Sequence, residues 1–505
     1  MTRPGCLTLL AFALAAAPLA PAAETFPLTA MVIASPAAPG SIAPALSTGN
    51  GAAVTLSWVE PAARGGRLRC ANFDRTSRTW SDPHTIVTSA QLKVGTADTP
   101  LLATGPHGEL AAVWIETVAG GGREAQVSRS TDAGATWTSP ARVTTESKRV
   151  SCPNLAWLPD GRLLAAWLDD RTPTARGVSQ LYARVVGADG PDLLVDISAC
   201  AGCPTALTVF PDGSALLAFR GRSTGNVCDI HTSTWSQDRW TAPRILSGEG
   251  WQISDELTEG PRLASAGGMV AAAWFSAAHR DPQVLGSTSP DAGDRFTSPL
   301  SLGDVLPVGR PDTCMLRDGS VLTLWLEDGQ TPGLYLRRTA PSLELNPPVR
   351  LAITRGDREN GYPRIALVKD YDRNPAEVMV AYLASGAPAG IRTQLVTLPD
   401  LSALAGRNPC IPCDENDANA TRGYPVKGRI AELRPDQAVV LLQHEEIPGV
   451  MRAATLACKV DPKTLPQLAA GGELLGRIEQ RDRAWWLFNI MLLGAPVAPA
   501  PSRAP

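Results

Sequence analysis

A unit of about 50 residues recurs seven times along this 505-residue chain, and a repeat of that length restricts the possible folds more than any other feature of the sequence. Each copy reads Pro-x-Leu or a close variant, a turn rich in Gly and Asp, then an apolar run ending in an aromatic. "DTPLLATGPHGELAAVW", "CPNLAWLPDGRLLAAW" and "RPDTCMLRDGSVLTLW" are three of them. The repeat prolines are Pro44, Pro100, Pro153, Pro204, Pro261, Pro311 and Pro363, at spacings of 50 to 57, and the closing aromatics run from Trp58 to Tyr382. Turn dipeptides such as Asp160-Gly161 and Asp212-Gly213 join two strands within each unit. Helical periodicity is scarce, while Gly (45) and Pro (44) are abundant, as short strands joined by tight turns require.

Four units end in a further element of the type "RTWSDPHTIV" or "DRFTSPLSL", giving four short strands per repeat. That is the period of a β-propeller blade, so the chain is expected to be all-β, with seven blades by repeat count and six as the alternative. The last unit has no obvious fourth strand. "PLTAMVIAS" (Pro27–Ser35) matches an outer strand and is expected to close the ring by pairing there, since closure removes exposed sheet edges.

"STDAGATW" (Ser130, Asp132, Gly134, Trp137) and "SPDAGDRF" (Ser289, Asp291, Gly293, Phe296) fit Ser-x-Asp-x-Gly-x-x-Trp/Phe. In this pattern Asp can bind turn amides, Gly permits positive φ, and the aromatic fills space between strands. On these motifs the region of about 27–404 resembles the sialidase-like, Asp-box propeller superfamily. The resemblance implies that the Asp-boxes are structural turns away from any site. For catalytic members it implies three arginines clamping a carboxylate, a Tyr–Glu nucleophile pair and an Asp acid/base. The Phe/Tyr-Arg-Ile-Pro stretch that carries the first arginine is missing from the start of this chain, and "YPRIAL" (Tyr362–Leu367) lies in the seventh unit.

Residues beside the repeat prolines are expected to approach the central channel: Asp98, Cys152, Cys203, Glu259, Arg310, Tyr362 and Arg364. Loops after the closing aromatics add Glu116, Asp169, Asp170, Arg171, Arg220, Arg222 and Glu327 at the rim. Arg171, Arg222 and Arg310 are the candidate carboxylate clamp, Tyr362 with Glu259 the candidate nucleophile pair, and Asp98 a further catalytic candidate. The alternative is a mouth lined with mutually paired charges. Cys152, Cys200, Cys203 and Cys228 fall at one end of adjacent units, as disulfides, a thiolate metal site or a redox pair. Cys70 and Cys314 lie in strand-like runs and are expected to be buried.

The repeat ends near Leu404. Residues 405–423 are a polar linker containing Cys410 and Cys413, a Cys-x-x-Cys pair and candidate soft-metal ligands. From Tyr424 to Leu493 alternating strands around one Pro-Gly break predict a small OB-like β-barrel. Its "VLLQHEEIPG", "MRAATLACKV" and "GGELLGRI" stretches resemble the CusF-like periplasmic copper-binding barrels. That resemblance implies Cu(I) as cofactor, with His444 and Met451 as ligands and Thr455 at the central threonine. The two thioether positions fall on Ala454 and Leu456, leaving Cys458 as a replacement donor. Residues 494–505 form a Pro/Ala-rich tail expected to be disordered.

Met1–Ala23 reads as a signal peptide, so the expected location is periplasmic or secreted. A net charge of −3 gives no basic footprint for nucleic acid, and no apolar segment reaches membrane-spanning length. The function expected is binding of an unidentified protein or small-molecule ligand at the channel face, without catalysis, with copper handling as a further role. The alternatives are an exo-sialidase or related glycoside hydrolase, and an interaction scaffold.

Overall fold

The computed structural model describes residues 28–398 and 424–493, apart from 50–52, 173–174, 254–257, 304–306, 329–330, 355–360, 371–374, 385–389, 446, 448–450, 463 and 482–483. The signal segment Met1–Ala23, the linker pair Cys410 and Cys413, and the tail lie outside the described residues.

The first six repeats each become a four-stranded antiparallel meander. In the first unit Ile42–Ser47, Thr55–Pro61, Gly66–Asp74 and His84–Ser89 pair in chain order, and in the third Ser151–Trp157, Leu163–Asp169, Val178–Val185 and Leu193–Cys200 do the same. The first strand of every unit touches the first strand of the next, from Ile42–Ser47 round to Arg364–Lys369 and back to Ile42–Ser47. The repeat is therefore a ring of radial sheets, a β-propeller. Second strands such as Leu163–Asp169 are buried along their whole length, because sheets on both sides cover them. Trp58, Trp114, Trp167, Trp274 and Trp325 are all fully buried.

Thr29–Ile33 pairs antiparallel with Gly390–Thr397, from Thr29 opposite Thr397 to Ile33 opposite Thr393. The seventh unit thus takes its outer strand from the start of the described chain, as its missing fourth strand predicts. Between units, the Asp-boxes act as hydrogen-bonded turns. Ser130 Oγ donates to Asp132 Oδ1 (2.7 Å), and the Gly134 and Thr136 amides donate to Ser130 Oγ (2.8 Å) and Asp132 Oδ1 (2.9 Å). Ser289, Asp291 and Gly293 repeat the pattern, and Phe296 packs between the fourth and fifth units.

Residues 424–493 fold separately into a closed barrel of five strands, Tyr424–Arg434, Val439–His444, Ala454–Lys459, Ala484–Leu493 and Glu473–Arg481 in spatial order. The ring closes through a parallel pairing of Cys458 with Trp485, and Ile430, Val440, Leu442, Leu474 and Ile478 fill the interior. No helix among the described residues is long and apolar enough to cross a membrane.

Candidate functional site

The innermost strands share a device that the sequence does not announce. In the first, third and sixth units the residue before the repeat proline has positive φ: Ala43 (56°), Cys152 (51°) and Arg310 (57°). At each of them the strand register shifts, leaving an extra residue in the first strand. Non-glycine residues in this region are strained and need support. A carboxylate two residues before the preceding unit's proline supplies it. Asp98 Oδ1 accepts from the Cys152 amide (3.2 Å), and Glu259 Oε2 accepts from the Arg310 amide (3.0 Å).

Three arginines gather beyond the second of these supports. Arg262, Arg310 and Arg364 come from the adjacent first strands of units five, six and seven, and each lies beside its repeat proline. Their guanidinium carbons stand 4.9, 5.7 and 5.4 Å from the centroid of the Tyr362 ring. All three are at least nine-tenths buried, with Arg310 at 1% exposure. Arg310 Nε lies 3.7 Å from Glu259 Oε1, and its Nη1 donates to the Gly361 carbonyl (2.9 Å). Arg364 Nε donates to the Pro44 carbonyl (3.4 Å). The buried Nε of Arg262 has no hydrogen-bond partner among the described residues. Burial and the like charge of Arg262 push the Arg364 guanidinium down to about 9, despite Asp312 nearby. Buried guanidiniums that repel one another favour an anion among them.

This cluster differs from the expected one. Only Arg310 of the trio Arg171, Arg222 and Arg310 belongs to it. Arg171 is held in the third unit by Asp169 (3.0 Å) and Asp192 (2.9 Å) and lies 3.8 Å over the Tyr182 ring. Arg222 spends its donors on the Gly177 and Ile253 carbonyls and on Asn226. Asp98 is a strut paired with Arg123 (3.2 Å), with its carboxyl raised by burial. Glu116 and Glu327 do not rim the mouth as free carboxylates, since they accept the indole N–H of Trp114 (3.1 Å) and Trp325 (2.8 Å). Sequence reasoning passed over Arg262, although Arg-Pro or Pro-Arg in three consecutive units was a signal for the whole trio.

Burial raises the Tyr362 phenol, and the nearby Glu259 carboxylate raises it further. They do not form a nucleophile–base pair. The Tyr362 hydroxyl donates to the Thr258 carbonyl, which is no base, and the Glu259 oxygens face Arg310.

The cysteines divide. Cys152 packs in the apolar layer between units three and four, whereas Cys200, Cys203 and Cys228 form their own cluster with Ile253 and Trp251. The Cys200 and Cys228 sulfurs are 2.7 Å apart. Two thiolates on one tetrahedral ion at the usual Zn–S distance stand roughly 3.8 Å apart, so the contact suits sulfur–sulfur chemistry better than shared ligation. Among the described residues no group of three or more His, Cys, Asp or Glu is arranged to hold a metal ion. Cys70 and Cys314 are buried as expected, and burial raises both thiols to about 12.

In the barrel, His444 Nδ1 meets the Glu445 carbonyl (2.6 Å), and its buried Nε2 has no hydrogen-bond partner among the described residues. Met451 packs on the barrel core. Cys458 does not join them. His444 pairs with Ala454 and Cys458 with Val440, four positions along the ladder or about 13 Å. Cys458 is a core residue whose thiol burial raises to about 12. Among the described residues one imidazole and one thioether remain of the donors that the resemblance implies, a set that would hold Cu(I) more weakly than three or four soft donors.

No family model matches the chain, and no curated protein matches it. Among solved structures, it is similar to an α-L-arabinanase from Penicillium chrysogenum complexed with arabinobiose (12% identity, TM-score 0.42, covering 75% of this chain and 99% of that one). A Hadza microbial sialidase matches at 16% identity with TM-score 0.39, over 67% of this chain and 74% of that one. The BP39L lectin from Burkholderia pseudomallei matches at 12% with TM-score 0.46, over 70% and 98%.

Proposed function

We propose that the chain binds a carboxylate-bearing ligand at the inner ends of units five to seven, as a receptor and not as a hydrolase. The observation that carries this reading is the trio Arg262, Arg310 and Arg364 around the Tyr362 ring, with the Arg262 Nε left without a hydrogen-bond partner among the described residues. Guanidinium forks match carboxylate geometry, and the low dielectric strengthens each contact. An acidic sugar is the ligand class that the Asp-box resemblance implies. The occupied Tyr362 hydroxyl and Glu259 carboxylate argue for binding over covalent catalysis.

Calorimetric titration with N-acetylneuraminate, glucuronate and neutral glucose tests the reading. The acidic sugars are expected to bind, glucose is not, and Arg262→Ala should weaken the acids by about 10-fold or more, the loss of one charged hydrogen bond. Equal binding of glucose, or unchanged affinity in Arg262→Ala, would overturn it. Hydrolysis of a fluorogenic sialoside that is abolished in Tyr362→Phe would instead establish the glycosidase.

A further inference from the structure

Three buried thiols meet where the third and fourth units join. Ala199 pairs with Gly221 across that junction and Arg222 pairs with Cys228, so the ends of two units bring Cys200 and Cys228 side by side. The turn from Cys200 to Cys203 folds the third thiol back, its amide donating to the Cys200 carbonyl (3.4 Å). Cys200 shares hydrogen bonds with both other thiols, and its sulfur lies 2.7 Å from that of Cys228. Arg222 Nη1 stands 3.9 Å from each of these two sulfurs, and Arg220 Nη1 donates to the Cys228 carbonyl (2.9 Å).

Of the three thiols, Cys200 is the one most readily ionised. The neighbouring thiols and the two guanidiniums hold Cys200 down to about 3, while Cys203 and Cys228 are pushed up by Cys200 and by burial. A central thiolate flanked by two protonated thiols differs from a plain disulfide pair, because either neighbour can resolve a bond made at the centre.

We propose that Cys200 is the pivot of a thiol–disulfide exchange site that takes a disulfide as its oxidising substrate and stores the oxidation as Cys200–Cys228 or Cys200–Cys203. The Cys200 thiolate attacks one sulfur of the incoming disulfide, whose S–S bond breaks. The departing thiolate takes the proton of Cys228. The Cys228 thiolate then attacks Cys200 Sγ, closing the internal disulfide and expelling the second sulfur, which takes a proton from water. The dithiol loses two electrons and the substrate becomes two thiols. Attack of Cys203 on Cys200 Sγ moves the bond, and the released Cys228 thiolate takes the Cys203 proton. Trp251, partly exposed, packs on the cluster.

Peptide mapping of the full chain under non-reducing conditions, after equilibration in glutathione buffers of graded oxidised-to-reduced ratio and acid quenching, tests this. Both linkages through Cys200 are expected in the wild type. Cys203→Ser should retain only Cys200–Cys228, and Cys228→Ser only Cys200–Cys203. Cys200→Ser should lose all linkage between the remaining two at ratios that oxidise the wild type. A Cys203–Cys228 bond in Cys200→Ser would overturn the proposal. So would three thiols that stay fully alkylatable at the most oxidising ratio, or a single wild-type linkage. If Cys200→Ser fails to fold, the linkages in Cys203→Ser and Cys228→Ser decide the matter alone.

Discussion

At the scale of single residues, the carboxylates that hold the backbone divide into those that burial raises and those that their hydrogen bonds lower. Asp98 and Glu259 accept from the strained amides of Cys152 and Arg310, so each is a support before it is anything chemical. Burial raises both carboxyls. Asp132 is the opposite case. Its bonds from Thr136 and Ser130 lower it to about 2. The folded form then holds its proton less tightly than the unfolded chain, in which an aspartate titrates near 3.9. Its stabilisation is therefore complete above about pH 4 and lost as the pH falls toward about 2. Urea unfolding of wild type and Asp132→Asn should show a stability gap at pH 6 that narrows steadily toward pH 3. A gap independent of pH would assign the effect to shape and not to charge.

At the scale of elements, the Asp-box glycine is where a turn meets the neighbouring sheet. Gly293 has φ of 89°, and a Cβ placed on it would stand 2.6 Å from a Leu216 side-chain carbon in the fourth unit. Gly161, in an ordinary hairpin, has φ of 83° and open space around it. Both Ala variants incur the left-handed penalty of about 1–2 kcal/mol, but only Gly293→Ala adds overpacking, about 1–3 kcal/mol more. Thermal melts should therefore rank Gly293→Ala below Gly161→Ala. Equal melting temperatures would mean that the junction between units four and five yields more easily than its packing suggests. The Trp-x-Glu pairs belong to this scale too, since Trp114 with Glu116 and Trp325 with Glu327 repeat one indole–carboxylate bond in separate units.

At the scale of the whole molecule, the ring depends on Thr29–Ile33, which joins residues nearly 370 positions apart in sequence (Thr29 with Thr397). Four of its five residues are exposed and only Ile33 is buried, so its contribution is backbone pairing more than core. Starting the chain at Ser35 would leave the edge of Gly390–Thr397 unpaired. At about 1 kcal/mol for each net hydrogen bond, the expected loss is about 3–5 kcal/mol. Limited proteolysis should then cut first in the seventh unit. Cleavage unchanged from the full chain would show that the ring does not need this strand.

Taken alone, the sequence determined the period, the strands and the turn chemistry. Hydrophobic alternation and positive-φ glycines are local, and local physics repeats from one unit to another, as at Gly134 and Gly293. It also placed Arg310, Tyr362 and Glu259 at the ring centre through their position beside the repeat prolines. Tertiary structure alone decided which charges meet. Arg171 and Arg222 look as available as Arg262 in the chain, yet Asp169, Asp192 and a set of carbonyls claim them once the loops fold. In the barrel, register put Cys458 four ladder positions from His444. Partner choice depends on distances of a few ångströms between segments remote in sequence, and no local pattern encodes those distances.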